Sequence, residues 1–194
     1  MQVTKLTLGP MDNNVYVVVC PRTNESLVVD ASHDAARIVA ATEGTSPRYI
    51  LLTHGDADHI DVLQELRGHL AVPVGIHEAD ADRLPAPADF FIADDQDISV
   101  GDVTLHAIHT PGHTPGSLCF YIRAGDTLLA GDTLFPGGPG ATHGDKDRFA
   151  RIITSVRDQL LVLPDDTAVR PGHGNDTTIG AEKPHLQEWI DRGH

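Results

Sequence analysis

Thr53-His54-Gly55-Asp56-Ala57-Asp58-His59 follows directly on the largely apolar stretch Arg48-Tyr49-Ile50-Leu51-Leu52. From His54 to His59 it sets four metal-capable side chains within six residues. Carboxylates and imidazoles crowded at a strand end repel one another or compete for protons unless a cation sits among them. Imidazole with carboxylate suits zinc, iron or manganese better than an ion that seeks soft thiolates. Three later segments offer partners: Thr110-Pro111-Gly112-His113-Thr114-Pro115-Gly116, Ala130-Gly131-Asp132-Thr133 and Arg170-Pro171-Gly172-His173-Gly174. Each sets one His or Asp on a Gly- or Pro-rich turn after an apolar run, the rigid backbone that a metal ligand needs.

Around these turns the periodicity alternates between strand and helix. Residues 2–8, 13–20 and 26–30 read as strands, 34–43 as a helix ending at Gly44, and 48–53 as a buried strand that delivers His54. A helix is expected over 60–69, strands over 72–76 and 98–109, and a hairpin from 117–122 and 126–130 around Ala124-Gly125. Phe149, Ile152, Ile153, Val156, Leu160 and Leu161 mark the clearest amphipathic helix; a strand at 167–170 and a helix near 182–192 close the pattern. Strands interleaved with helices indicate a layered α/β domain.

The ordered motifs resemble the metallo-β-lactamase-fold hydrolases, on their glyoxalase II-like side. That family's pattern is His-x-His-x-Asp-His, then a lone His, a bridging Asp and a last His, matched here by His54, Asp58, His59, His113, Asp132 and His173. The second His is replaced by Asp56. The resemblance implies a four-layer αββα sandwich of two mixed sheets. It also implies two metal sites. The first would hold His54, Asp56 and His113, the second Asp58, His59 and His173, with Asp132 bridging them. Asp58 would orient the attacking hydroxide and Asp132 would hold the ions at their working separation.

Asp56 makes the first site harder and lowers its charge by one, which weakens its acidification of water. Asp is shorter than His, so Asp56 either binds the ion, reaches it through water or falls short. Burying an unpaired carboxylate beside His54 and Asp58 is costly, which favours the ligand reading. The second site keeps every family ligand and is expected to be at least as fully occupied. The cofactor expected is Zn2+, one or two ions, with iron the alternative. Three functions remain open at this point: a hydrolase of a small thioester, ester or lactone; a mononuclear non-heme iron enzyme like the persulfide dioxygenases, using His54, His113 and Asp132; and a non-catalytic small-molecule binder that keeps the fold.

Composition narrows the partners. The chain has 194 residues, 40% of them hydrophobic, and a formal net charge of −14. That is enough for one domain over 1–194 with a sizeable core. An acidic surface argues against nucleic acid and anionic membranes, leaving a small-molecule substrate and no expectation of oligomeric state. The sequence shows no secretory signal and no apolar stretch long enough to span a bilayer, so a cytoplasmic location is expected. Cys20 and Cys119 sit in apolar runs and read as buried small hydrophobes.

The remaining histidines are set apart. His33, His69, His77, His106, His185 and His194 read as ordinary surface or core residues, while His109 and His143 flank ligand turns and are left open between that reading and orienting a ligand. Residues 137–140 are Gly-rich but lack the Gly-Lys-Ser/Thr of a phosphate loop, and Asp94-Asp95-Gln96-Asp97 lacks the spacing and closing Glu of a calcium loop. The segment after Asp132 resembles its glyoxalase II counterpart, with Ala141 standing about where a basic residue for the glutathione conjugate is found. No C-terminal helical glutathione domain is read in the sequence. Glutathione specificity is therefore not expected, while a thioester of another small thiol stays among the open substrates.

Overall fold

The computed structural model describes residues 1–193, so His194 lies outside the described residues. Burial along the strands explains its layering. In β2 (Asn13–Val19), Tyr16 and Val18 belong to one buried cluster and Val15 and Val17 to another, so both faces of the strand are covered. The first sheet runs β1 (Gln2–Leu8), β2, β3 (Glu25–Val29), β4 (Ser46–Leu51), β5 (Val74–Ile76) and β6 (Phe90–Phe91). Its first two pairings are antiparallel and the rest parallel, with Val28 opposite Ile50.

The second sheet contains β7 (Asp97–Val100), β8 (Val103–His109), β9 (Leu118–Ile122) and β10 (Thr127–Gly131). After a small hairpin of β11 (Leu134–Phe135) and β12 (Gly138–Pro139), it is completed by β13 (Ala168–Pro171) and β14 (Thr177–Thr178). Its order is β14-β13-β10-β9-β8-β7, with β10 and β13 parallel and the other pairs antiparallel.

Three apolar clusters fill the layers. Tyr16, Leu27, Leu51, Leu105, Phe120 and Leu129 meet between the sheets. On the outer face of the first sheet, Val17, Val28 and Ile50 pack with Ile38 of α1 (Ala35–Ala41), with Ile60 of α2 (Ala57–Ile60), and with Leu63 and Leu66 of α3 (Leu63–Leu70). Outside the second sheet, Cys119, Tyr121 and Leu128 pack with Ile152 and Ile153 of α4 (Lys146–Ser155). A π-helical turn, Val156–Leu160, prolongs α4 and adds Val156 and Leu160 to that cluster. Ile179 of α5 (Ile179–Glu182) and Trp189 of α6 (Leu186–Arg192) complete it. The fold is the αββα sandwich. Both cysteines are buried, Cys20 between the sheets and Cys119 under the second helical layer.

Several boundaries differ from the expected ones for local reasons. The strand expected over 98–109 is a hairpin, because Gly101 at φ 56° turns the chain between β7 and β8. The last helix is broken into α5 and α6 by a 3₁₀ turn, Lys183–His185, that contains Pro184. A second 3₁₀ turn, Glu78–Arg83, has no periodic signal in the sequence. No helix among the described residues is long and apolar enough to cross a membrane.

Candidate metal centre

The ligand-type residues leave the carboxyl ends of four strands at one end of the sandwich. His54 follows β4, His113 follows β8, Asp132 follows β10 and His173 follows β13. Asp30, directly after β3, joins them. Cross-sheet bonds fix this end: Leu118 N–H donates to the Thr53 carbonyl at 2.8 Å, and Asn14 N–H to the Gly172 carbonyl at 2.7 Å. Gly131, at φ 46°, reverses the chain so that Asp132 turns inward. A Cβ at Gly172 would collide with the Asp132 carboxylate and the His59 ring, so this close approach requires glycine.

All four histidines are oriented the same way. The Thr53 hydroxyl donates to Asp30 Oδ2 at 2.8 Å, so His54 Nδ1, 2.9 Å from that hydroxyl, is assigned as the donor to it. His59 Nδ1 donates to Asp30 at 3.0 Å, His113 Nδ1 to the Ala141 carbonyl at 2.8 Å and His173 Nδ1 to the Met11 carbonyl at 2.9 Å. Each bond leaves the Nε2 lone pair facing the common centre, the arrangement by which outer partners prepare imidazole for a metal.

Around that centre the distances are short. Asp56 Oδ2 lies 3.1 Å from His113 Nε2 and 3.9 Å from His54 Nε2. Asp58 Oδ2 lies 3.3 Å from His173 Nε2 and 3.7 Å from His59 Nε2, and those two nitrogens are 3.0 Å apart. Asp132 stands between the sets, 3.7 Å from His113, 3.4 Å from His59 and 3.4 Å from His173. All seven residues expected from the sequence are thus brought together. His54, Asp56 and His113 form one group of mutually close ligand atoms, Asp58, His59 and His173 a second, and His54, His59 and Asp132 a third across the middle.

Protein groups alone leave this cluster unsatisfied. With the imidazoles neutral, His54 Nε2, His113 Nε2 and Asp132 Oδ1 are buried without a hydrogen-bond partner, and only a proton on His113 Nε2 lets it donate to Asp56. Orphaned buried polar atoms cost roughly 1–3 kcal/mol each. Inward lone pairs beside carboxylates are the donor set a divalent cation takes, so the residues fit one or two metal ions.

Ionisation tells the same story. Burial and the neighbouring His59 push His54 down to about 4. Burial also works against a charged His59, but the hydrogen bond to Asp30 and its charge outweigh it and raise His59 to about 9. Burial opposes charge on His113 and His173 as well, yet the bond of His113 to Asp56 and of His173 to Asp132 leaves both raised. Burial would lift Asp56 and Asp132, but hydrogen bonds from His113 and His173 respectively, with the surrounding imidazoles, hold both carboxyls well below the usual range. Without a metal, protons take its place.

Several residues of the site carried no motif. Asp30, 1% exposed, accepts from the Thr53 N–H and hydroxyl and from His59. Its signal was an Asp immediately after the apolar run Leu27-Val28-Val29. Asn13 donates to Asp58 Oδ2 at 2.9 Å. Asp80 accepts from the N–H groups of Gly55 and Gly116, and Arg83 pairs with Asp56. Neither His109 nor His143, the two histidines left open as partners of a ligand, makes a hydrogen bond to any of the seven residues. His109 donates to the Pro115 carbonyl at 2.9 Å and stacks on His77, while the His143 ring lies 6.4 Å from that of His113.

Comparison with known proteins agrees with this geometry. A profile of the Metallo-beta-lactamase superfamily matches residues 8–173. The chain is similar to the probable metallo-hydrolase YqgX of Bacillus subtilis, 31% identical over 94% of this chain and 95% of that one. It is 32% identical to the hydroxyacylglutathione hydrolase GloC of Haemophilus influenzae over 80% of this chain and 83% of the relative. A crystal structure of TTHA1623 in a di-iron-bound form superposes with a TM-score of 0.79 at 30% identity, covering 93% of this chain and 96% of the other.

Proposed function

The chain belongs to the metallo-beta-lactamase superfamily, and on that premise we propose that it is a metal-dependent hydrolase of a small thioester, ester or lactone. The observation that carries this reading is the set of four inward-facing imidazole Nε2 atoms interleaved with Asp56, Asp58 and Asp132. His54, Asp56 and His113 would hold one ion, and Asp58, His59 and His173 the other, with Asp132 between. We assign zinc, with iron the alternative. Bound there, a divalent ion supplies an acidified water near neutral pH and a Lewis acid for the substrate carbonyl.

The chain's own residues supply position and protons. Asn13 holds Asp58 from outside through its 2.9 Å bond, leaving the Asp58 carboxylate turned towards His59 and His173. Asp58 orients the attacking water and accepts its proton. Asp132, its side chain 12% exposed and its carboxyl held ionised, keeps the two ligand sets in register. His113 is locked by its bond to Ala141 and cannot turn its donor nitrogen away. A relative named hydroxyacylglutathione hydrolase supports a thioester over other acyl bonds. The substrate is a small molecule and the setting cytoplasmic.

The test is elemental analysis of protein purified without chelator, followed by a panel of thioesters, esters and lactones. Chelator-reversible hydrolysis of at least one member is the expected result. Stoichiometric iron with oxygen consumption on a persulfide would replace hydrolysis by dioxygenation. A stable protein that takes up no metal would make the chain a binder.

A further inference from the structure

Next to the first ligand set, a cavity of about 290 Å³ is lined by Asp56, Arg83, His143, Arg148 and Arg151 together with the turn 111–115. Three of the chain's fourteen Lys and Arg residues meet there, although the protein carries a net charge of −14. An acidic protein that concentrates cations at the mouth of one site builds a local field of opposite sign. We propose that this cavity binds an anionic group of the substrate, a carboxylate or phosphate, close to the bond that is cleaved. The proposal rests on the hydrolase reading for its meaning as a substrate subsite.

Each guanidinium has donors to give. Arg148 donates from Nε to the Gly112 carbonyl at 3.0 Å and from a terminal nitrogen to the His113 carbonyl, both neutral acceptors. Arg83 gives one terminal nitrogen to Asp56, and its side chain is still 43% exposed. Arg151, one helical turn beyond Arg148 on α4, makes no hydrogen bond or ion pair among the described residues. Two carboxylates stand close to these cations: Asp56, which lines the cavity and pairs with Arg83, and Asp145, which caps α4 by accepting from the N–H groups of Asp147 and Arg148 and feels the charges of Arg148 and Arg151. Planar forks of this kind match the two oxygens of a carboxylate or phosphate. His143 lines the same wall. The volume is at the lower edge of small-molecule pockets, right for one charged group rather than a whole cofactor.

Arg151 is the residue to test, since it makes no hydrogen bond or ion pair with a ligand or a ligand turn. Calorimetry on metal-loaded protein would compare succinate, inorganic phosphate and neutral succinamide in wild type, Arg151→Ala, Arg151→Lys and Arg151→Glu. The expected result is anion binding without succinamide binding, weakened about tenfold in Arg151→Ala, as for loss of a charge-assisted hydrogen bond. Arg151→Lys should retain part of it and Arg151→Glu none. Succinate affinity that survives Arg151→Glu, held by the metal centre alone, overturns the proposal.

In kinetics, acetyl and succinyl thioesters of one neutral thiol and the acetyl thioester of 3-mercaptopropionate tell which side of the bond carries the charge. One charged substrate should show the lower KM, and Arg151→Ala should cost it about ten times more in kcat/KM than it costs the neutral ester. Equal losses for charged and neutral substrates overturn the proposal. Failure of all three to react, with the calorimetric pattern intact, would sustain the anion site and overturn the hydrolase reading.

Discussion

Asp56 is the residue at which this chain departs from its family pattern, and Arg83 explains how the departure is tolerated. Replacing imidazole by carboxylate lowers the charge of the first ligand set by one, and the Arg83 guanidinium beside Asp56 restores it. Asp56 is also long enough: Oδ2 comes within 3.1 Å of His113 Nε2. We expect Asp56→Ala to weaken metal binding at the first set by at least about tenfold, as for loss of a residue that holds the centre together. Bound metal measured by titration with a chromophoric chelator reads this directly. Unchanged stoichiometry and affinity would remove Asp56 from the site. Asp56→His restores the family pattern but strands Arg83 beside a cation. We therefore expect it to bind metal no more tightly than wild type, and a clear gain would show that Arg83 plays no compensating part.

At the scale of the element, the 3₁₀ turn Glu78–Arg83 organises the site from outside it. Asp80 is fully buried, and its two oxygens accept from Gly55 N–H at 2.9 Å and Gly116 N–H at 2.8 Å. It thereby clamps the turn that carries His54 to the turn that carries His113, and three residues later the same element delivers Arg83 to Asp56. A Cβ at Gly55 would meet Arg83, and one at Gly116 would meet Asp80, so both ligand turns are shaped by this contact. Asp80→Asn can accept at only one of its two positions and leaves an N–H facing an amide donor. The cost should be about 1–3 kcal/mol of stability in urea denaturation, with weaker metal binding at the first set. Wild-type stability in this variant would show that the clamp contributes nothing.

For the whole molecule, metal and protons compete for the same charge. In the metal-free protein His59 is raised from 6.5 to about 9, despite its burial, by the Asp30 carboxylate. A raised histidine contributes stability that is fully present below about pH 6.5 and is lost as the pH climbs through about 9. Metal binding needs the neutral imidazole and releases those protons, so it strengthens over the same window. Melting curves from pH 6 to 9, with and without chelator, should therefore diverge: the metal-free Tm falls while the increment given by metal grows. At a hundred times Kd that increment corresponds to about 2.7 kcal/mol. An increment that shrinks with rising pH would contradict the protonation pattern derived for the centre.

The sequence by itself determined what is local or ordered along the chain. The continuous apolar run of β2, the helical spacing of Ile152, Ile153, Val156 and Leu160, and the Gly- and Pro-flanked ligand turns are all patterns over a few residues, and each element formed close to where its pattern lies. The order of His54, Asp58, His59, His113, Asp132 and His173 carried the family resemblance, because ligand identity is a matter of side-chain chemistry. Tertiary structure alone decided how those side chains are aimed. Asp30, Asn13 and Asp80 stand 23 to 45 positions from the residues they hold in the 53–59 segment, and Ala141 and Met11 act through backbone carbonyls that any residue could offer. The gathering of Arg83, Arg148 and Arg151 around one cavity has the same origin. Charge is written in the sequence, but the convergence of charges depends on which strand ends the two sheets bring to the same edge.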